Sequence, residues 1–477
     1  MAPSKPLTGA DMTRCVHRVA LDRGGLQQLD AREMDDAGAR RRREADKLSR
    51  SIFDTIVNHY PEAVRPGSVA ETREALDKGA DIIVSPRLPD DAQGHRRAQV
   101  DVLVRVGRHE EKYLYAPAII RNILVSEGAA TRRIRKGDAQ SLRPSEASWC
   151  DGVYARRNDP VQRAGVILAH AYRVLEALGN ASPDTTGGIF DRDSVLWWLE
   201  LNDGTTSHLD RYDAAYRERL GVMENQEKWA EQGGHYPTSP YWHRECEKCP
   251  YQSSCEAILT EIDDVSLVRY SKFTEQMLMR EAGISTWRDL AALDPVAAAA
   301  AFRSVLSATE TYSPVDYLAK QVAQLPELIY RARSMVLGHP TRKVSADKLS
   351  CPTADIEIDV DMESYDECTY LWGAVVRTSR PIDGVREGYH EFSHFGPLTP
   401  EIERDVFVAF WDWFQGVRVL AERAQMRFAA YCFYENAENG SMRRAIATGG
   451  VRQEMAFEVE SFLGSSSWID LHKLCVD

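Results

Sequence analysis

Three cysteines within ten residues are the clearest chemical signal in the sequence. Cys246, Cys249 and Cys255 have C-x2-C-x5-C spacing, and Pro250 fixes the turn between them. Two thiolates on one tight turn can bind the same metal ion or the same edge of an iron–sulfur cluster. Either centre usually takes four protein ligands, so this segment predicts a metal site whose fourth ligand comes from elsewhere in the chain.

Cys15, in the stretch TRCVHRVALD, is the best placed cysteine to be that fourth ligand. The chain has five more cysteines, several of them in or beside strand-like stretches where buried apolar residues are expected: Cys150, Cys351, Cys368, Cys432 and Cys475. We predict a 4Fe-4S iron–sulfur cluster on Cys15 and the three clustered cysteines. A structural zinc ion, or thiols without a metal, are the alternatives. Either metal would staple the N-terminal segment to the region of residue 250.

The second chemical signal is the acidic stretch IEIDVDMES near the C terminus. Its alternation predicts a strand with Ile356, Ile358 and Val360 on one face and Glu357, Asp359 and Asp361 on the other. Glu363 continues the polar face. Carboxylates at i and i+2 of a strand, such as Asp361 and Glu363, can hold two Mg²⁺ or Mn²⁺ ions about 4 Å apart, which is a phosphodiester-cleaving arrangement. An ordinary solvated strand face would have the same letters.

Composition and charge limit the class of protein. The chain of 477 residues has 59 basic and 72 acidic side chains and a net charge of −13, which argues against a general nucleic-acid coat. A local basic surface is still compatible with this balance, and one candidate is the run Arg132, Arg133, Arg135 and Lys136 in ATRRIRKGDAQ. These side chains are predicted to contact nucleic-acid phosphates. A solvated loop is the alternative.

No secretory signal and no apolar run of membrane-spanning length occur in the sequence. Nine cysteines without a secretory signal indicate a reducing compartment, so we expect a cytoplasmic protein that does not associate with membranes.

The elements that must position these residues fall into three predicted segments. Residues 1–261 read as an α/β unit with a strand series and a long amphipathic helix that begins at Asp159. Residues 262–343 read as a helical linker, in which REAGISTWRDLAALD has the form of a helix–hairpin–helix and Gly283 could bring backbone N–H groups to a phosphate. Residues 352–477 read as strands, a long helix and a further strand, so the predicted class is multidomain α/β.

The cysteine framework resembles that of the RecB-like nucleases, which include helicase–nuclease subunits and CRISPR adaptation exonucleases. That framework is an N-terminal Cys followed far downstream by C-x2-C-P-x4-C, and TRCVHRVALD is similar to the opening of the family. The resemblance implies a restriction-endonuclease-like α/β domain that binds DNA. It also implies a metal centre on which Asp101, in AQVDVLVRV, is the strand acid and Glu44 an early-helix acid.

The sequence departs from the RecB-like pattern at the remaining catalytic positions. The family has E-x-K on the next strand, where this chain has YAPAIIRN, with Ile119 and Arg121 in place of Glu and Lys. Isoleucine cannot bind a metal, and arginine cannot act as a base near neutral pH. The following helix keeps Tyr172 but has Leu168 where the family has Gln. We therefore expect this first centre to be weak or inactive.

The C-terminal segment is similar to the RNase H-like exonuclease domain of the YprB type. The resemblance implies that Asp361 and Glu363 form the first motif and that an acid in the loop after the strand RFAAYCFY forms the second. Glu438 is the choice for that acid, with Glu435 as the alternative and Asp470 in a supporting position. The family continues to a last motif with a closing His or Tyr and an Asp, and the sequence ends at Asp477 before such a motif.

Together these features are similar to the RecB-family nucleases of actinobacterial type. They imply a divalent-metal-dependent nuclease in DNA processing or repair, with DNA as the expected partner. The alternative is a nucleic-acid-binding scaffold without catalysis, in which both nuclease sites are degenerate and the cysteines hold a structural cluster or zinc.

Overall fold

The computed structural model describes residues 5–23, 36–157, 159–204, 207–232, 238–268, 279–308, 315–338, 351–365 and 368–476. The chain is a mixed α/β protein, as predicted, and divides into two compact units, Met1–Arg342 and Lys343–Asp477. Within the described part of the chain, no helix combines the length and apolar character needed to cross a membrane.

Nine described strands belong to the first unit. They are β1 (Leu7–Thr8), β2 (Ile82–Val84), β3 (Arg96–Arg97), β4 (Val102–His109), β5 (Lys112–Ile120), β6 (Ser126–Gly137), β7 (Ser148–Ala155), β8 (Thr186–Phe190) and β9 (Leu196–Glu200). Seven of them form one sheet in the order β2-β4-β5-β8-β9-β6-β7, and β1 pairs separately with β3. Within the sheet, β2, β4 and β5 are antiparallel neighbours, whereas β5 and β8 run parallel.

Nine described helices belong to the same unit. They are α1 (Val16–Arg23), α2 (Asp36–His59), α3 (Val69–Lys78), α4 (Asp159–Ala177), α5 (His208–Gln232), α6 (Gln252–Glu261), α7 (Trp287–Ala292), α8 (Pro295–Ala308) and α9 (Val315–Leu337). Local sequence explains several of their ends. Ser68 caps α3 by accepting from the Glu71 backbone N–H, and Gly79, with φ of +70°, ends it in the left-handed conformation.

Helix α4 connects β7 to β8 and buries its apolar stripe on the sheet. Val161, Leu168 and Leu175 are fully buried there. The α4–β8 connection returns the chain beside β5, so the ends of β4, β5 and β8 lie next to one another. This neighbourhood contains Asp101, which directly precedes β4.

The basic run predicted either to contact phosphates or to be a solvated loop lies in a long hairpin of β6 and β7. The loop alternative is therefore wrong. Ile134 pairs with Cys150 and Arg135 with Trp149, and Arg135 also pairs with Trp198 of β9 on its other side. Backbone pairing on both edges of β6 holds a strand that has almost no apolar alternation of its own.

The predicted linker segment has a small apolar core of its own, in which Leu290, Ile329 and Ala332 are fully buried. Residues 269–278, which include part of the predicted first hairpin helix, lie outside the described residues. Gly283 has φ of +80°, a conformation that favours glycine, and Thr286 then caps α7 by accepting from the Asp289 backbone N–H.

The second unit has one five-stranded sheet and four described helices. The elements are β10 (Ile356–Tyr365), β11 (Cys368–Thr378), β12 (Gly388–Ser393), α10 (Pro400–Arg423), β13 (Phe428–Cys432), α11 (Glu435–Ala447), α12 (Gln453–Leu463), β14 (Trp468–Asp470) and α13 (Leu471–Val476). The sheet order is β12-β11-β10-β13-β14. The strands β10, β11 and β12 pair antiparallel. On the other side of β10, β13 pairs parallel with β10, and β14 pairs parallel with β13.

An aromatic core holds α10 against this sheet. Trp372 of β11 stacks on Phe410 at a ring distance of 5.0 Å, and Phe414 meets Phe462 of α12 edge-to-face at 5.1 Å. Such pairs add about 0.5–1.5 kcal/mol each to the free energy from burial. The core therefore fixes the sheet face opposite to the acidic one.

Candidate functional site

The four cysteines of the predicted metal site line one small cavity. Cys15 directly precedes α1, Cys246 lies in a short 3-10 helix (Arg244–Lys248), Cys249 ends that helix, and Cys255 lies in the first turn of α6. Cys15 is half-buried and the other three are buried. The fold therefore brings together residues that are more than 230 positions apart in the sequence.

A charged side chain next to the cysteines holds the two segments together. Glu245 accepts from the Cys15 backbone N–H at 3.0 Å and pairs with the Arg18 guanidinium at 3.2 Å. One turn later in α1, the Tyr251 hydroxyl donates to Asp22 at 2.8 Å. Neither contact was predicted from sequence, although Glu245 stands directly beside Cys246 in HRECEKC.

The cavity surroundings disfavour free thiolates. Burial is the main cause that raises the pKa of Cys15 and Cys249, and it raises the pKa of Cys246 to about 12. The Cys246 thiol donates to the Tyr241 carbonyl at 3.6 Å. Thiols in such surroundings stay protonated unless a bound cation stabilises the thiolate form, which is the form that binds metals.

A four-sulfur donor set is the chemistry that selects an iron–sulfur cluster or zinc. Among the described residues, no three His, Cys, Asp or Glu side chains are arranged so that they could hold one metal ion. Whether these four thiols bind a cluster or a zinc ion stays a prediction.

Asp101, the predicted strand acid, is paired with a cation from its own unit. One Asp101 carboxylate oxygen accepts from the Ile120 backbone N–H at 2.7 Å and lies 3.5 Å from the Arg121 guanidinium. Burial raises the pKa of Asp101, and the Ile120 N–H and the Arg121 charge partly offset that effect. Ile119 is fully buried in the core. The arginine occupies the charge-compensating role that a divalent ion has in a metal centre.

Two other positions of the predicted RecB-like centre also have structural partners. Glu44 forms an ion pair with Arg40 one turn earlier in α2, at 3.1 Å. The buried Tyr172 hydroxyl donates to the Ser182 carbonyl at 2.8 Å. Asp101 itself lines a groove of about 740 Å³ together with Arg73 and Arg87. The groove lining has three arginines and two aspartates, and each aspartate forms an ion pair with an arginine.

The acids of the second unit are arranged differently. Asp361 and Glu363 are both exposed at the end of β10, as alternation predicted. Asp359, two residues earlier, pairs with Arg377 at 2.6 Å. In the part of the chain that the structure describes, Asp361 and Glu363 form no ion pair. The charge on this strand is therefore compensated at Asp359 and uncompensated at the two predicted site residues.

Glu438 lies in the first turn of α11, and its predicted position in a loop is wrong. Its side chain is buried, and its Oε2 atom has no hydrogen-bond partner. Burial raises the pKa of Glu438, and the nearby carboxylates of Asp361 and Asp470 raise it further. Glu438 of α11 therefore interacts electrostatically with acids of β10 and of the end of β14, but these three side chains are not arranged to hold one metal ion.

Specific contacts hold α11 where it presents Glu438. Arg444 pairs with the buried Glu403 of α10 at 2.9 Å, and the Trp468 indole donates to Asn439 at 2.9 Å. Asp470 accepts from the Glu435 backbone N–H at 3.3 Å, so the alternative acid Glu435 begins the helix instead of joining the group. The Glu435 side chain pairs with Lys473.

The predicted nucleic-acid residues do not act as one patch. Arg133 and Arg135 line a pocket of about 530 Å³, which Lys136 does not. The side chain of Arg132 lies outside the described residues. Gly283 lies in the predicted turn. Sequence reasoning missed Trp149, Arg156 and Arg157 of the same pocket, although SWCDGVYARRND interleaves aromatic and basic residues.

The chain matches no family model, no curated protein and no solved structure. The proposals that follow therefore depend on the residues and their geometry.

Proposed function

We propose that the chain is a nucleic-acid-processing protein whose second unit hydrolyses phosphodiester bonds with Mg²⁺ or Mn²⁺ at Asp361, Glu363 and Glu438. The observation that carries the proposal is the buried Glu438, which lies near Asp361 and Asp470 with one carboxylate oxygen unpartnered. Like charges at this separation raise the free energy of the folded protein. Groups kept together at such a cost are typical of a functional site.

The donor chemistry fits divalent ions, since Mg²⁺ and Mn²⁺ prefer carboxylate oxygens. Such ions, when bound, supply an activated water and stabilise the leaving oxygen. Asp361 and Glu438 would hold them from two different elements, while Glu363 extends the acidic face towards the strand end. Asp470 orients the start of α11 through its bond to the Glu435 N–H.

The order of elements also supports the proposal. The resemblance to RNase H-like exonucleases implies three antiparallel strands, a helix and then a further strand, and the second unit has this order of elements. Two exposed aromatic residues, Phe433 and Tyr434, follow β13 next to the acids and contact His472 edge-to-face. Aromatic side chains in that position suit stacking with an unpaired base.

The first unit is assigned to substrate binding and structure rather than to catalysis. The Asp101–Arg121 pair favours this assignment, and it equally favours the second candidate, a scaffold that binds nucleic acid without cleaving it. The four cysteines would hold an iron–sulfur cluster as a structural staple, with zinc as the alternative metal. The cavity that all four cysteines line supports a group shared by the four thiols.

Cleavage of end-labelled single-stranded DNA in Mn²⁺ tests the proposal. The wild-type chain and Asp101→Asn should cleave. Asp361→Asn should lose activity at least a hundredfold, because of these two aspartates only Asp361 is assigned to the metals. Equal loss in both variants would move the reaction to the first unit. Salt-sensitive binding without cleavage by any preparation would establish the scaffold instead.

A further inference from the structure

One pocket in the first unit combines arginines and aromatic rings. The Trp149 pocket has a volume of about 530 Å³ and is lined by Trp149, Tyr154, Arg133, Arg135, Arg156 and Arg157, among others. Its volume falls within the range of small-ligand sites. Residues from β6, β7 and β9 form its base, and the starts of α4 and α5 contribute Gln162 and His208.

The pocket is positively charged in a chain of net charge −13. Its four arginines are balanced by two acids, Glu200 and Asp203, and within the described residues none of the four arginines belongs to an ion pair. Burial lowers the pKa of His208 to about 4, so that histidine is neutral at neutral pH. Unpaired guanidinium groups that converge on one cavity are suited to bind phosphate, often in a bidentate manner.

Trp149 provides a flat surface within this charge. The indole is 48% exposed, and the Arg133 guanidinium lies 4.3 Å from its ring centre. Arg135 lies 5.7 Å from the same ring. A large exposed indole is costly on a surface without a partner, and its ring already accepts a planar group at stacking distance. A nucleobase is another planar group of this kind.

Three lining residues have buried polar atoms without hydrogen-bond partners. These atoms are Arg156 Nε, His208 Nδ1 and Trp198 Nε1. A buried donor that lacks a partner costs about 1–3 kcal/mol. The His208 ring cannot move freely to find one, because a Cβ atom at Gly165 would lie only 2.3 Å from it, which shows how closely the ring packs on α4. The closely packed His208 ring is therefore a fixed part of the pocket wall.

We propose that the Trp149 pocket binds one phosphorylated nucleotide, with its base stacked on Trp149 and its phosphate held by Arg156 and Arg157. The same chemistry is present in a free nucleoside monophosphate and in the 5′-terminal nucleotide of a single strand. The second source fits a nucleic-acid-processing protein, and to that extent the inference depends on the proposed function. Sequence-independent recognition would follow, because every base offers a flat face.

The test is binding in EDTA, where no cleavage occurs, with three probes: 5′-phosphorylated ten-nucleotide oligothymidylate carrying a 3′ fluorophore, the same strand without the phosphate, and free thymidine monophosphate as competitor. Trp149→Ala should weaken binding of the phosphorylated strand about tenfold or more, and Trp149→Phe should restore most of it. The double variant Arg156→Gln/Arg157→Gln should lower the salt slope by about 0.7, because one phosphate is no longer neutralised. Arg217→Gln, an exposed arginine outside the pocket, is the matched charge control.

A preference for the phosphorylated strand supports the terminal nucleotide as the source, and competition by thymidine monophosphate at equal affinity supports the free nucleotide. Affinities of all pocket variants within twofold of Arg217→Gln would overturn the inference. Equal binding of inorganic polyphosphate without dependence on Trp149 would also overturn it. Asp361→Asn should bind as the wild type does. A wild-type chain that cleaves no substrate but keeps Trp149-dependent binding would refute the proposed nuclease and leave this pocket intact.

Discussion

The Arg121 guanidinium lies 3.5 Å from the Asp101 carboxylate, where β5 ends beside the start of β4. Each side chain is about one-third exposed, and the pair provides the charge compensation that an added ion would otherwise provide. The Ile120 backbone N–H completes the surroundings of the acid at 2.7 Å. This arrangement makes the first unit self-sufficient without a divalent ion.

Arg121→Ala should therefore destabilise the first unit by about 1 kcal/mol at pH 7. The value is modest because solvent screens this partly exposed pair. The folded-state pKa of Asp101 is raised, so ionising it costs stability as the pH rises from about 4 through that pKa. Without Arg121 this cost grows. The stability that Arg121→Ala loses relative to the wild type should therefore be small near pH 4 and largest at neutral pH. Urea unfolding at the two pH values measures it. In an Asp101→Asn background the pH dependence of the loss should vanish, and its persistence there would contradict the pairing.

Glu438→Gln should stabilise the second unit in the absence of metal by about 1 kcal/mol at pH 7, since it removes one charge from a buried group of like charges. The raised folded-state pKa of Glu438 means that the benefit should be absent below about pH 4 and appear as the pH rises through that pKa. The same variant should lose the rise in Tm that Mn²⁺ gives the wild type. Glu454→Gln, exposed on α12, is the control and should change neither quantity. If Glu438→Gln were less stable than the wild type at pH 7, Glu438 would not be repelled by Asp361 and Asp470.

Cys15→Ser should abolish an absorbance shoulder at about 400 nm, where thiolate-to-iron charge transfer falls, together with most of the bound iron. The same substitution at Cys150, which lies in β7 and does not line the cysteine cavity, should leave both unchanged. Absorbance and iron content of protein purified without oxygen measure the effect. A colourless wild type with one equivalent of zinc would refute the cluster.

Gly165→Ala should destabilise the first unit by about 2 kcal/mol, because the new methyl group would overlap the His208 ring. His208→Ala in the same chain should recover most of that loss. Thermal unfolding of the two single variants and the double variant forms a double-mutant cycle. Strictly additive effects would mean that the two residues are not in contact.

Much of the fold follows from periodicity, and the places where it does not are informative. The alternation of IEIDVDMES predicted β10 and the exposure of Asp361 and Glu363, because one face of that strand packs on an aromatic core. By contrast, β6 has few apolar residues to alternate. Its strand conformation comes from backbone pairing with β7, which follows after a connecting segment, and with β9, which is distant in sequence.

The candidate sites could be predicted to a similar extent. Spacing placed the four cysteines correctly on one cavity, and the replacement of Glu and Lys by Ile119 and Arg121 was visible in the letters. The letters did not reveal that Arg121 turns onto Asp101, because a side-chain direction depends on the packing around it. The sequence also predicted that Glu438 would lie in a loop. Gly440 weakens the helical pattern there, and contacts such as Arg444 with Glu403 are what hold α11 together.

The cysteine cavity also sets an order of events during synthesis. Cys15 leaves the ribosome early, whereas Cys255 follows 240 residues later, after more than half of the 477-residue chain has been made. At translation rates of about 5–20 residues per second, the first thiol waits on the order of tens of seconds for the other three. A cluster bound by all four thiols, as proposed, would therefore be completed only after the α6 segment has been synthesised.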